Sequence, residues 1–153
     1  MPRSSHSRVL HADPSQVWAL ISDPHHLPRW WPKVVRVEAV QKDAFTEVLR
    51  TQRGRDVRAD FRALERDQQA MRLLWEQQVE GTPFAKVLRS AQTELSVEAI
   101  SPSGQPDAPR AQVRIVVRQS LRGLLANLGG PLVKRASART VEAALTRLEQ
   151  LFE

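Results

Sequence analysis

The chain of 153 residues contains no cysteine and no tyrosine. Without cysteine it cannot form a disulfide, a thiol nucleophile or a thiolate metal site. It also lacks any run of about 18 apolar residues, so no segment is expected to span a bilayer. The opening residues, 1–8, lack the apolar stretch of a secretory signal, and we therefore predict a cytoplasmic location.

Histidine is scarce, and its placement argues against metal binding and nucleophilic catalysis. The four histidines all fall near the start of the chain: His6, His11, His25 and His26. A helical metal pair needs an i, i+4 spacing, and a nucleophilic triad needs serine or cysteine beside histidine and a carboxylate. Because neither pattern is evident, we expect surface histidines, no metal ligands, no cofactor and no catalytic residues.

Charge is unevenly distributed between the two signs, with 23 Lys and Arg against 17 Asp and Glu and a net charge of +6. Such a balance can indicate a nucleic-acid or anionic-membrane partner. The arginines are scattered from Arg3 to Arg147, however, and acidic residues are interleaved with them. This pattern is typical of a solvated surface, so a nucleic-acid partner is not expected.

The length and the ordinary apolar fraction of 41% predict one domain, residues 1–153, with one core. Its first part predicts a strand from roughly Ser5 to His11. Asp13 as N-cap and Pro14 at the first helical position then begin a short helix. A second short helix is predicted from Pro24 to Trp31, where prolines limit its length.

After Pro32 the apolar period changes from helical to alternating, which predicts six strands. Short connections make the sheet antiparallel, with one apolar face and one charged face. The predicted inward sets are Val35, Val37 and Ala39; Phe45, Glu47 and Leu49; Val57, Ala59, Phe61 and Ala63; Met71, Leu73, Trp75, Gln77 and Val79; Leu95, Val97 and Ala99; and Val113, Ile115 and Val117. The predicted outward arginines are Arg58, Arg62, Arg72, Arg114 and Arg118, loosely paired with Asp60 and Glu76.

The C-terminal 33 residues are predicted to be helical in two segments. The apolar stripe of residues 121–128 and the stripe after Gly129-Gly130-Pro131 differ in phase by more than a quarter turn. A proline removes a helix hydrogen bond, so a kink or break is expected at Pro131. We predict that Leu121 to Leu128 forms a separate flap, and that the segment from Pro131 onward crosses the apolar face of the sheet.

Two stretches carry a resemblance to a known family. Residues 13–24, DPSQVWALISDP, and residues 27–32, LPRWWP, resemble the first helix and the entry to the second strand of the START-like superfamily. This superfamily is also called SRPBCC or polyketide cyclase/dehydrase, and the run from Leu121 to Leu151 looks like its gripping helix. The resemblance implies an α+β helix-grip fold: a seven-stranded curved antiparallel sheet around a long kinked C-terminal helix, with two short helices between strands 1 and 2.

The resemblance also implies a mostly apolar cavity between sheet and helix. The candidate ligand-binding residues are Phe61, Leu73, Trp75, Gln77, Thr93, Leu95, Ile115, Ser137, Thr140, Val141 and Ala144. Alternatives stay open: Gln77 and Gln119 could reach solvent at strand ends, and Ser137 and Thr140 could bond back to helix carbonyls. Glu47 shares the inward phase of Phe45 and Leu49, but a surface position beside Arg50 or Arg58 is the favoured alternative. Trp18, Trp30 and Trp31 are interpreted as packing residues.

Three functions fit these expectations. The first is binding or carrying a hydrophobic small molecule that is lipid-, polyketide- or quinone-like. The second is a polyketide cyclase, aromatase or dehydratase, which needs polar groups converging in the cavity; the absence of tyrosine removes one acid from that set. The third is a basic module that contacts ribosome, nucleic acid or anionic lipid through the arginine-rich face, which requires those arginines to form one patch. The ligand and the oligomeric state are not specified by the sequence.

Overall fold

The computed structural model describes residues 3–100, 108–123 and 129–153. The elements, in chain order, are β1 (Arg3–Leu10), α1 (Pro14–Ile21), a 3-10 turn (Pro24–His26), α2 (Leu27–Trp30), β2 (Val34–Gln41), β3 (Ala44–Arg50), β4 (Asp56–Asp67), β5 (Arg72–Gln77), a second 3-10 turn (Pro83–Lys86), β6 (Leu88–Ile100), β7 (Arg110–Leu121) and α3 (Gly130–Leu151). No helix in these ranges is long and apolar enough to cross a membrane.

The seven strands form one antiparallel sheet in the order β1-β7-β6-β5-β4-β3-β2. Consecutive strands from β2 to β7 are neighbours, and β1 closes the series beside β7. The two short helices therefore carry the chain from one edge of the sheet to the other. The curved sheet, the two short helices and the C-terminal helix confirm the predicted α+β helix-grip fold.

Local sequence explains where the first helices begin. The Asp13 carboxylate accepts a hydrogen bond from the Ser15 amide at 2.8 Å, and Pro14 occupies the first turn of α1. Asp23 does the same for the 3-10 turn, where its carboxylate accepts from the His25 amide at 3.0 Å. Each cap satisfies an amide that has no partner inside the helix.

The core lies between the concave face of the sheet and one face of α3. Val141, Ala144, Leu145 and Leu148 recur at helical spacing, and none of the four has any exposed surface. A 22-residue helix is about 33 Å long at about 1.5 Å per residue, enough to cross the sheet. The first two helices complete this core, since Trp18 and Ile21 of α1 and Trp30 of α2 are buried in the same cluster. Burying these apolar faces drives the fold.

The beginning of α3 agrees with one prediction and corrects another. Gly129 caps the helix, Gly130 begins it and Pro131 lies in its first turn, so the predicted interruption at these three residues coincides with a helix boundary. Leu121, expected to open the helical flap, instead ends β7 opposite Leu88 and is buried. Leu121 continues the inward alternation of Val113, Ile115 and Val117 along β7. This strand pattern prevails over the helical spacing of the leucines that follow. Residues 124–128 of the predicted flap lie outside the described residues.

Strand β2 departs from the predicted alternation of Val35, Val37 and Ala39. The register shifts twice along its pairing with β3, between Val34 and Arg36 and between Glu38 and Gln41. Val34, Val37 and Val40 consequently face the core, while Ala39 is exposed with a φ of 51°. An extra residue in a bulge moves every later side chain to the other face, and the sequence pattern alone does not reveal it.

The outer face of the sheet is charged, as predicted, but its ion pairs differ in part. Arg62 bonds Glu76 at 3.0 Å as expected. Asp60 accepts a hydrogen bond from Thr46 and pairs with none of the predicted arginines. Three other predicted arginines pair with unpredicted carboxylates: Arg58 with Glu38 at 3.4 Å, Arg72 with Glu94 at 2.7 Å and Arg118 with Glu94 at 3.3 Å. Carboxylates thus separate the arginines, and the face is a mixed-charge surface.

Candidate functional site

A cavity of about 340 Å³ lies between the sheet, the short helical segment and the first half of α3. Three tryptophans and two phenylalanines dominate its wall. The remaining lining is aliphatic or uncharged polar, apart from one carboxyl group. The lining residues are Ile21, Pro24, Leu27, Trp30, Trp31, Phe45, Glu47, Phe61, Trp75, Gln77, Ala91, Thr93, Leu95, Val117, Gln119, Val133, Ala136, Ser137, Thr140 and Val141.

The structure brings most of the predicted site residues to this cavity. Those that line it are Phe61, Trp75, Gln77, Thr93, Leu95, Ser137, Thr140 and Val141. Leu73, Ile115 and Ala144 face the same way but lie in the filled core, with at most 1% of their surface exposed. Leu73 and Ile115 flank Leu95 on the neighbouring strands, and of these three residues only Leu95 also lines the cavity.

The aromatic wall is ordered by direct ring contacts. Phe45 stacks on Phe61 with centroids 5.1 Å apart, and Trp75 meets Phe45 edge-on at 4.8 Å. Trp30 and Trp31 form a second edge-on pair at 5.4 Å. Trp75 was expected at the cavity, whereas Trp30 and Trp31 were interpreted as packing residues and also line it. Rigid rings give the wall a fixed shape that suits a flat apolar ligand.

Glu47 is the one ionisable residue among the described residues that line the cavity, and its placement corrects the sequence interpretation. It is 8% exposed on β3, and no described residue makes a hydrogen bond or ion pair with its carboxyl group. Arg50 and Arg58, its expected neighbours, pair instead with Asp56 and Glu38. Burial removes the carboxyl from water and raises the pKa of Glu47 to about 8. The sequence signal for its inward position is its alternation in phase with Phe45 and Leu49 along β3.

Two further polar groups of the cavity wall are bonded to each other across the sheet–helix gap. The Ser137 hydroxyl donates to the Gln119 side-chain oxygen at 2.8 Å. The Ser137 hydroxyl therefore does not bond to a carbonyl of its own helix. The Gln119 side chain points to α3 and not to bulk solvent. The bond joins α3 to β7 beside the cavity and holds the helix at a fixed height above the sheet.

Two buried donors of the wall have no such partner. The Nε1 atom of Trp30 and the Nε2 atom of Gln77 are both inaccessible and unbonded within the described part of the chain. Trp18, by contrast, donates its indole N–H to Gln68 at 2.9 Å. Buried polar groups are paired in the great majority of cases, so two orphaned donors on one cavity wall are notable.

A serine, a histidine and a carboxylate meet away from this cavity. His6, which is a quarter exposed, bonds Glu142 at 2.7 Å through Nδ1 and Ser4 at 2.9 Å through Nε2. Arg8 binds the other Glu142 oxygen at 2.7 Å, and Ser4 is only 4% exposed. The hydroxyl is closed to a substrate, and the cluster fastens β1 to α3. Among the described residues, no group of three His, Cys, Asp or Glu could hold a metal ion.

The chain matches a known protein family and resembles several solved structures. The family described as "Polyketide cyclase / dehydrase and lipid transport" matches residues 1–153. No curated protein matches the sequence.

Several solved structures share the fold. The di-domain ARO/CYC BexL from the BE-7585A biosynthetic pathway is 22% identical over 98% of this chain, with a TM-score of 0.77. This chain spans 46% of that protein, about half its length. XoxI from Bacillus cereus is 15% identical over 99% of this chain and 96% of its own, with a TM-score of 0.74. A START superfamily protein from Mycobacterium smegmatis is 17% identical over 99% and 97%, with a TM-score of 0.70.

Proposed function

Because the chain belongs to the polyketide cyclase / dehydrase and lipid transport family, we propose that it binds a hydrophobic small molecule in the cavity between sheet and α3. The observation that carries this proposal is the cavity itself, about 340 Å³ of space lined by three tryptophans and two phenylalanines. Pockets of this size and lining are typical of small-molecule sites. The ligand that we propose is lipid-, polyketide- or quinone-like. A cytoplasmic location remains a prediction from the sequence.

The side chains of α3 change in size along its length, and this supports a ligand space over a filled core. Toward the C-terminus Leu145 and Leu148 are fully buried against the sheet. Nearer the N-terminus the smaller residues Ala136, Ser137 and Thr140 line the cavity, and Ala136 is itself exposed. The cavity is partly open to solvent, and its mostly apolar lining favours an apolar occupant over water.

Organic extraction of the purified protein followed by mass spectrometry tests this function. We expect an apolar compound that co-purifies with the native chain and is absent from a Thr140→Trp variant prepared in parallel, because the indole fills the cavity. Identical extracts from the two proteins, together with failure of the native chain to bind any added apolar probe, would contradict ligand binding.

A second candidate function is proton-transfer catalysis, favoured by the inward position of Glu47. The enzyme hypothesis required polar groups to converge in the cavity, and Glu47, Gln77 and Thr93 all line it. A carboxyl whose pKa lies near neutrality can both accept and return a proton, as general acid–base catalysis requires. The structural similarity to an ARO/CYC protein is compatible with this role.

Enolisation of a small ketone in heavy water tests this candidate. The base removes a proton from the carbon beside the carbonyl, the enolate forms, and return of a deuteron labels the ketone. With 2-tetralone we expect label to enter faster than in buffer, and the acceleration to be lost in Glu47→Gln, which keeps the shape but cannot take the proton. Equal rates for both proteins would leave Glu47 a binding residue.

A further inference from the structure

The net positive charge of the chain is concentrated in one stretch of sequence. Residues 108–141 contain seven Lys and Arg and no Asp or Glu. The rest of the chain has sixteen basic residues against seventeen acidic ones and is close to neutral. The excess charge therefore belongs to the part of the chain that includes β7 and the first half of α3.

Much of this charge lies at the end of the molecule where α3 begins. A second, smaller apolar cluster around Leu88 and Leu121 joins the start of β6 to the end of β7, and Val133 of α3 packs against it. The Arg122 amide also donates to the Val87 carbonyl at 3.0 Å. Six exposed basic residues adjoin this cluster along the chain or follow it on α3, and we call them the basic end: Lys86, Arg89, Arg122, Lys134, Arg135 and Arg139.

The basic end has no counter-charge bound to it within the described residues. None of its six side chains forms an ion pair there, although the arginines of the outer face of the sheet do so repeatedly. The helix gains nothing from them either, because a helix N-terminus favours acidic residues and the first turn of α3 has none. Like charges gathered in this way repel each other, so they indicate an anionic partner outside the chain.

Two exposed apolar side chains lie among these charges. Leu132, in the first turn of α3, is 70% exposed, more than any other large apolar side chain described, and Val87 beside Lys86 is 43% exposed. Leu132 lies one turn before Arg135 and two turns before Arg139, so the three share one exposed stripe of the helix. Basic residues around a projecting apolar side chain match the surface of an anionic bilayer, with phosphates outside and hydrocarbon below.

The apolar cavity reaches the surface along the same part of α3. Ala136 lines the cavity and is exposed, and it lies one turn after Leu132 on the helix. Val133, next to Leu132, also lines the cavity. A bilayer that received the Leu132 side chain would therefore lie beside the helix edge that borders the cavity.

We propose that the basic end is a docking surface for anionic lipid bilayers, with Leu132 among the acyl chains and the basic side chains at the lipid phosphates. Each basic residue near such a surface adds a modest attraction that salt screens. Nucleic acid also offers phosphates, but it has no hydrocarbon layer to receive Leu132, and for this reason we assign the surface to lipid. The docking does not depend on what the cavity holds.

Flotation with lipid vesicles tests the proposal. We expect the native protein to float with phosphatidylcholine vesicles that contain about 30% phosphatidylglycerol and to stay behind with vesicles of pure phosphatidylcholine. Binding should weaken at least about tenfold when KCl rises from about 0.05 M to about 0.5 M, because the charges of the protein and the lipid are then screened.

Charge variants locate the surface. The combined variant Lys134→Gln, Arg135→Gln and Arg139→Gln should lower the partition coefficient onto the anionic vesicles about a hundredfold. The matched control removes the same formal charge from the outer face of the sheet: Arg58→Gln, Arg62→Gln and Arg72→Gln. This control should partition much as the native chain does, because those side chains lie outside the basic end.

An apolar variant separates bilayer docking from simple charge attraction. Leu132→Gln should weaken binding to the anionic vesicles about tenfold at both salt concentrations, because salt does not screen an apolar contact. Leu64→Gln is its matched control, since Leu64 is 45% exposed on β4, outside the basic end, and it should bind as the native chain does.

Three results would overturn the proposal. The first is failure of the native protein to float with the anionic vesicles. The second is an equal loss of binding in the two combined charge variants, which would mean that overall charge and not the basic end binds lipid. The third is binding to a duplex DNA oligonucleotide in preference to the vesicles, unchanged in Leu132→Gln, which would assign the surface to nucleic acid. The vesicle result on the native protein stands whether or not the cavity binds a ligand.

Discussion

Glu47 stands directly opposite Ala59 in the β3–β4 pair, so a buried carboxyl has a methyl group as its cross-strand neighbour on the cavity face. An arginine at position 59 would have neutralised it, but the arginines of β4 occupy the alternate positions Arg58 and Arg62 on the outer face. The small neighbour leaves space beside the carboxyl and no counter-charge within the wall. Burial of the carboxyl away from water raises the pKa of Glu47 and leads to the first prediction.

The stability of the protein should fall as pH rises from about 5 to about 7.5. Between the ordinary pKa of a glutamate, near 4.5, and the folded value of about 8, the unfolded chain loses the Glu47 proton and the folded chain keeps it. The folded state then binds more protons, so the free energy of unfolding decreases with pH. Over this range we expect a loss of about 3 kcal/mol, measured by urea unfolding.

The matched control is Glu47→Gln, which cannot ionise. Its stability curve should lack this component, so the difference between the two proteins isolates Glu47 from every other titrating group. The variant should be the more stable protein at pH 7.5 and should lose that advantage near pH 5. A constant difference across the range would show that Glu47 is solvated in the folded state.

A bulky side chain on α3 that fills the cavity should abolish ligand binding without unfolding the protein. Thr140→Trp places an indole into the space beside Ser137 and Val141. Binding of the neutral apolar dye N-phenyl-1-naphthylamine, measured by its fluorescence, should fall to background. Ala143→Trp puts the same side chain on the exposed face of the helix and should bind the dye as the native chain does. Unaltered binding by Thr140→Trp with native circular dichroism would place the ligand elsewhere.

Tryptophan at position 144, one helical turn after Thr140, should destabilise the protein, whereas Thr140→Trp should not. Ala144 lies in the filled core and has no exposed surface, so Ala144→Trp overpacks it. We expect a loss of stability of about 3 kcal/mol or more in urea unfolding. Tolerance of this indole at native stability would mean that the cavity extends beyond Thr140 toward Leu148.

The arginines of the outer face should contribute little to stability. Arg72 is exposed and bonds Glu94 at 2.7 Å, and exposed pairs of this kind are each worth about 0–1 kcal/mol. Arg72→Gln should therefore shift the free energy of unfolding by less than about 1 kcal/mol. As a comparison, Leu148→Ala removes a fully buried side chain of α3 and should cost about 2–5 kcal/mol. Comparable losses for the two variants would contradict the assigned positions of core and surface.

Much of the fold follows from local sequence. The alternation in Val57, Ala59, Phe61 and Ala63 identifies a strand and its inward face, and Asp13-Pro14 identifies a helix start. What escapes prediction depends on pairing: the two bulges of β2 reverse the exposure of Ala39 without any mark in the side-chain pattern. Register across strands is a tertiary property, and a local periodicity does not contain it.

In the site, too, local sequence predicts some features and tertiary placement determines the others. Residues in phase with the inward face could be named from the sequence, but whether each lines the cavity depends on its level along the strand. Leu73 and Trp75 share a face, yet only Trp75 reaches the cavity. Glu47 was in phase with Phe45 and Leu49, and the general preference of carboxylates for water argued for the surface. Its burial in the folded chain, at the cavity wall, decides between these indications.

The four tryptophan side chains provide the most direct test of ligand binding in this cavity. Trp30, Trp31 and Trp75 line the cavity, whereas Trp18 donates its indole N–H to Gln68 outside the lining. In a ¹H–¹⁵N NMR titration with 9-fluorenone, we predict that the indole N–H signals of the three lining residues shift and that of Trp18 remains in place. Saturating binding that leaves those three signals unmoved would contradict the account.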